Sequence, residues 1–189
     1  MLLVFQGRFA EADEQLRLAQ EENPYSAGQI RVAIQARLME ARYTQAIDLA
    51  RQLLTRDPTN LFAKNSIDSA HALEGRPDIA LADFQKLEGQ VPQAKAYEAQ
   101  ALACEGRREE ALRLMRPFEE HYRTSGVPLV GLAALYAFLG DEDNTVKWQH
   151  RSANDHEWIV LTIGVAPIYS RVRNGPKFPA LLKRIGLTP

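Results

Sequence analysis

One cysteine, Cys104, stands in 189 residues, which excludes an intrachain disulfide and any cysteine metal cluster. It sits among Ala101 and Ala103 in a helical pattern, where a buried small thiol is expected. Long apolar runs are also missing. The N-terminal Met1-Leu2-Leu3-Val4-Phe5 stretch stops at Gln6, has no basic segment before it, and is too short for a signal peptide or a membrane span. A cytosolic location is the expectation that follows. His71, His121, His150 and His156 are scattered and form no metal-spaced pair with a carboxylate or thiol. No phosphate-binding glycine loop, dinucleotide fingerprint or nucleophile elbow occurs. Glu109/Glu110 and Glu119/Glu120 fall at helical positions that face water rather than a cleft able to shift a pKa. His121-Tyr122-Arg123 reads as the basic close of a helix, where positive charge favours the helix dipole. Trp148 and Trp158 read as core anchors. Nothing here supports an enzyme, and no cofactor or metal is implied.

What is present is ordinary in bulk, with 46% apolar and 25% charged residues. The net charge of −1 hides an asymmetry. Residues 147–189 carry seven Lys/Arg against Asp155 and Glu157, giving 7 − 2 = +5 and leaving −6 on the rest. Such a basic end could contact nucleic acid, but so modest an excess fits a solvated face better.

The informative pattern is a period. Pro24, Pro58 and Pro92 stand 34 residues apart, and Ala12, Ala46 and Ala80 repeat at the same interval. Gly7-Arg8-Phe9-Ala10-Glu11-Ala12 ends at Asn23-Pro24, Ala41-Arg42-Tyr43-Thr44-Gln45-Ala46 ends at Asp57-Pro58, and Gly75-Arg76-Pro77-Asp78-Ile79-Ala80 ends at Val91-Pro92. Looser copies run from Gly106 to Ala111 and from Gly140 to Thr145. A fixed spacing of this length marks copies of one supersecondary unit. The pattern resembles the tetratricopeptide repeat, with a small residue at the turn, usually an aromatic two later, an alanine in the second helix and a closing proline.

The resemblance implies an all-α fold, a right-handed α-solenoid of antiparallel helix pairs, A and B. Residues 1–153 would form the array, with a partial first repeat, and 154–189 a helical cap within the same structural domain. In repeat 2 the expected helices cover about 27–40 and 43–56, and in repeat 3 about 61–74 and 77–88. Ala46 and Ala80 would sit where helix B crosses helix A closely. The closing proline cannot continue the helix and pushes its predecessor toward extended geometry. Repeat 4 departs, since Gly106 follows Gly75 by only 31 residues, so its helix A should be about one turn short, and Pro117 should kink or divide its helix B. Only six residues precede Gly7, so the first helix A is cut short. That suggests the C-terminal part of a longer protein.

Beyond residue 153 come Trp158-Ile159-Val160-Leu161, Val165-Ala166-Pro167-Ile168-Tyr169-Ser170-Arg171-Val172-Arg173, Gly175-Pro176-Lys177-Phe178 and Leu181-Leu182-Lys183-Arg184-Ile185-Gly186-Leu187. This order resembles the ending that closes tetratricopeptide regions in bacterial multidomain proteins, mostly winged-helix activators, nucleotide cyclases and serine/threonine kinases. Ala166 and Gly175 stand where that ending usually has an aspartate before proline, which weakens the helix N-caps but not the pattern of apolar anchors. Phe178, Leu181, Leu182 and Ile185 share one face of a short helix that should cover the end of the last repeat, with Leu135, Tyr136 and Leu139 beneath it.

The resemblance implies one functional surface, a concave groove lined by helix A residues. Its positions include Arg31, Gln35, Leu38 and Met39 in repeat 2 and Phe62, Asn65, Ser69 and Leu73 in repeat 3. Arg31, Gln35, Phe62, Asn65 and Ser69 are the candidate peptide-binding residues, with Arg31 and Asn65 bonding polar groups and Phe62 packing on side chains. A chaperone-tail carboxylate clamp does not fit, because the downstream positions Ala99 and Ala103 are apolar. The expected function is a non-enzymatic protein-interaction module, the regulatory or sensory part of a bacterial signalling or transcription-regulating protein. Its partner would be a protein or peptide in the groove, or an effector domain of the same chain. Regulation of an attached kinase or cyclase, and nucleic-acid contact through the basic end, are the alternatives.

Overall fold

The structure, a computed structural model, describes residues 1–23, 26–86, 94–125 and 129–187. They form α-helices and two short 3-10 turns, with no strand among the described residues. A four-residue helix α1 (Leu2–Phe5) precedes α2 (Phe9–Glu22), and then come α3 (Ala27–Met39) with α4 (Tyr43–Arg56), and α5 (Leu61–Leu73) with α6 (Pro77–Lys86). They are followed by α7 (Ala94–Cys104) with α8 (Arg108–Glu120), and by α9 (Leu129–Phe138) with α10 (Glu142–Asn154). The 3-10 turns span Trp158–Thr162 and Pro167–Tyr169, and α11 (Phe178–Arg184) closes the chain.

The five intrahairpin turns share one geometry. Gly7, Ala41, Gly75, Gly106 and Gly140 all take positive φ, between 57° and 91°. Each next residue donates its N–H back five positions, from Arg8 to Leu3, Arg42 to Arg37, Arg76 to His71, Arg107 to Leu102 and Asp141 to Tyr136, at 2.8–2.9 Å. These are Schellman closures, which satisfy carbonyls that the end of a helix leaves open. The starts of α3, α5 and α10 are capped by a short polar side chain. Ser26 Oγ accepts from Gln29 N, Asn60 Oδ1 from Ala63 N and Asp141 Oδ1 from Asn144 N.

Consecutive helices pack on one another from α3 to α8 and again in α9–α10. The first helices of successive pairs also touch, α3 on α5, α5 on α7 and α7 on α9, so they share one layer. Ala46, Ala80 and Ala111 are fully buried at the crossings, and Ala12 nearly so. Thr145 is equally buried at the same position, its hydroxyl donating to the Asp141 carbonyl at 2.7 Å. Asp57, before Pro58, is extended at φ −135°, as a following proline demands. Pro24, Pro92 and the expected end of α6 at Glu88 lie outside the described residues, as do the residues just before α7, the helix A of repeat 4 that was expected to be about one turn short and is described from Ala94 to Cys104. The expected break at Pro117 does not divide α8, which runs to Glu120. The proline falls in its last turn, where a missing N–H orphans only the carbonyl of exposed Arg113.

The C-terminal segment does more than cover the last repeat. Phe178, Leu181 and Leu182 are buried against a cluster that includes Ala137 and Val146. Leu135 and Tyr136 belong instead to the core shared with repeat 4, so they are not the surface that the cap covers. Between the two parts, residues 160–173 form a strap with Val160, Ile163, Ala166, Tyr169 and Val172 buried. The strap reaches back to the first repeats. Met39 at the end of α3 packs against its cluster, and a Cβ placed on Gly7 would lie 3.7 Å from Val165 Cγ1. Residues more than 150 positions apart in the chain are thereby brought into contact.

Candidate functional site

Two of the expected groove residues are in direct contact. The Arg31 guanidinium lies 4.2 Å from the centre of the Phe62 ring, a cation–π stack between α3 and α5. Asn65 follows Phe62 by three residues on α5, so the two share a helix face. Gln35 follows Arg31 and Ser69 follows Asn65 by one turn each, which puts all five candidates on adjacent faces of two packed helices. Arg31 is exposed and the other four are half-buried. Phe62 also packs on the core of Ile30, Ile34, Ala50 and Leu53, which holds its ring in place under the guanidinium. The Asn65 Oδ1 atom is shielded from solvent and accepts no hydrogen bond. Its neighbour Ser66 turns inward, donating to the Phe62 carbonyl at 2.7 Å.

The far ends of the same helices behave differently. Met39 is packed against the strap cluster, and Leu73 lines a cavity of about 490 Å³ between the strap and the helix ends. Tyr43, Cys104, Phe138, Ile168 and Arg171 line the same cavity. Of the expected groove positions, Met39 and Leu73 therefore lie against the strap, whereas Arg31, Phe62 and Asn65 lie nearer the helix starts. Cys104 is half-buried rather than buried, and desolvation pushes its thiol up to about 12. The thiol thus stays protonated at neutral pH and is a poor nucleophile. Among the described residues no group of His, Cys, Asp and Glu could hold a metal ion, and no helix is long and apolar enough to cross a membrane.

The basic end is largely committed to internal bonds. Arg171 Nη1 donates to the Phe138 carbonyl, and Arg173 Nη2 to the Ala166 carbonyl at 2.6 Å. Lys177 pairs with Asp143 at 2.8 Å, and Arg184 donates to Asn154 Oδ1 at 2.7 Å. Trp148 is buried with its ring 5.7 Å from that of Tyr122, a core anchor, with Arg151 lying over both rings. The side chain of Trp158 lies outside the described residues.

The sequence did not reveal the strap or its cavity. Pro167, Ile168, Ser170 and Arg171 carry no spacing that points to α3, α5 or α7, and only the tertiary path brings them there. Comparison with protein-family models, curated proteins and solved structures finds no match for the chain.

Proposed function

We propose that this chain is a non-enzymatic interaction module that holds an extended peptide across the starts of α3 and α5. The observation that carries this is the unpartnered Asn65 Oδ1 beside the Arg31–Phe62 stack. A shielded carbonyl oxygen without a donor costs free energy, and the main-chain N–H of an extended peptide supplies the missing donor. The stacked guanidinium keeps its edge N–H groups available for a carboxylate or carbonyl of the same ligand. The 34-residue period and the C-terminal ending favour a tetratricopeptide-type module in the regulatory or sensory part of a larger bacterial signalling or transcription-regulating protein. Its partner is then a peptide segment of another protein, or of an effector domain in the same polypeptide.

The test is selection from a random peptide display library, run in parallel on the parent and on an Arg31→Ala, Asn65→Ala variant. The parent is expected to enrich a peptide family that the variant does not. The variant should melt close to the parent, losing about 1 kcal/mol from the cation–π contact. Equal enrichment on both proteins would rule this surface out.

A further inference from the structure

The strap turns part of the expected groove into a pocket. Its walls are the ends of α5, α7 and α9, carrying Leu73, Cys104 and Phe138, and its roof is Pro167 to Arg171. Tyr43 closes one side at the start of α4. The volume of about 490 Å³ falls within the range of small-molecule sites rather than of packing defects. The lining combines the apolar side chains of Leu73, Phe138 and Ile168 with polar groups, and Arg171 is the only charged side chain among the lining residues. That guanidinium is held in place because Nη1 donates to the Phe138 carbonyl, and no described carboxylate neutralises it. The Ser170 and Tyr43 hydroxyls add two polar groups.

We infer that this pocket binds a small amphipathic organic carboxylate, its apolar body against Leu73, Phe138 and Ile168 and its carboxylate on Arg171. A guanidinium anchored through one nitrogen keeps donors on the others, and the fork matches a carboxylate better than any neutral group. The inference does not depend on the peptide reading, because Arg31 and Asn65 are not among the lining residues.

Cys104 supplies the readout, as the chain's single thiol and a wall of the pocket. The probes are octanoate and 4-phenylbutyrate, each compared with its own primary amide, and the signal is the rate at which N-ethylmaleimide labels the native protein. The carboxylates should slow labelling saturably, at concentrations roughly tenfold or more below those the amides require. Arg171→Gln should remove that preference while leaving protection by the amides as it was. Leu73→Trp, which fills the cavity, should abolish protection by all four probes. Wild-type protein that shows no saturable protection, or equal protection by acid and amide, would overturn the proposal. So would an Arg171→Gln variant that still prefers the acids. The wild-type comparison decides even if a variant does not fold.

Discussion

Ala41 holds a φ of 57° at a turn where the other four hairpins use glycine. For an L-residue with a Cβ this left-handed conformation costs on the order of 1–2 kcal/mol. Its neighbours over-determine it. Arg42 donates its N–H to the Arg37 carbonyl at 2.8 Å, and Arg37 bridges Asp13 at 2.6 Å and Glu40 at 2.7 Å. That network ties α2 to α3, so the turn is held from both sides. Ala41→Gly should relieve the strain but give back unfolded-state entropy, leaving a net gain of about 0.5–1 kcal/mol. A denaturant midpoint that rises with unchanged slope checks this. An unchanged or lower midpoint would mean that the alanine sits there without strain.

At the scale of elements, the start of α11 answers the question raised by its missing aspartate. Glu142 Oε1, from α10, accepts from Lys177 N at 2.7 Å and Phe178 N at 2.9 Å. The cap is thus supplied from 35 residues away, and Gly175 makes room for it, since a Cβ there would lie 2.2 Å from the Glu142 carboxyl carbon. Glu157 does the same for α9, accepting from Leu129 N at 3.0 Å. A seven-residue helix is unstable alone, so α11 depends on this cap and on burying Phe178 and Leu181. Glu142→Ala and Gly175→Ala should each cost about 1–2 kcal/mol, the second by pushing the carboxylate off the helix end. Both act on one interaction, so the double variant should cost little more than either alone. Additive losses in thermal melts would show that the two residues do different jobs. The same contrast separates what the chain made legible from what it hid. The helices of repeats 2 and 3 and their positive-φ turns followed from local residues at a fixed interval, because hairpin geometry is written within 34 positions. Arg31 and Phe62 could be placed on neighbouring faces for the same reason. Glu142 on Phe178, Val165 on Gly7 and Arg171 beside Cys104 have no local signature, since nothing periodic in 158–177 indicates where that segment travels.

For the whole molecule, the strap decides whether the helix pairs unfold together. Stacked repeats exchange most of their energy with neighbours, so an unbraced array frays from its ends. Here the first repeat is joined to the second by α2–α3 contacts and the Asp13–Arg37 pair, and it also meets the strap at Gly7. Removing residues 156–189 should therefore have two effects. It exposes Ala137 and Val146, which are buried under the cap, and exposed repeat ends self-associate. It also releases Met39 and Gly7, so amide exchange in residues 1–22 should speed up although they are remote from the cut. Light scattering and hydrogen exchange read the two effects separately. A single change, Val165→Asp, tests the second without the first, because it leaves Phe178, Leu181 and Leu182 in place over the last repeat. A charge facing Gly7 should loosen the first repeat while the protein stays monomeric, since an unpaired charge at a partly buried contact is costly. If Val165→Asp leaves exchange in residues 1–22 at the parent rate, the strap caps only the last repeat and does not brace the first.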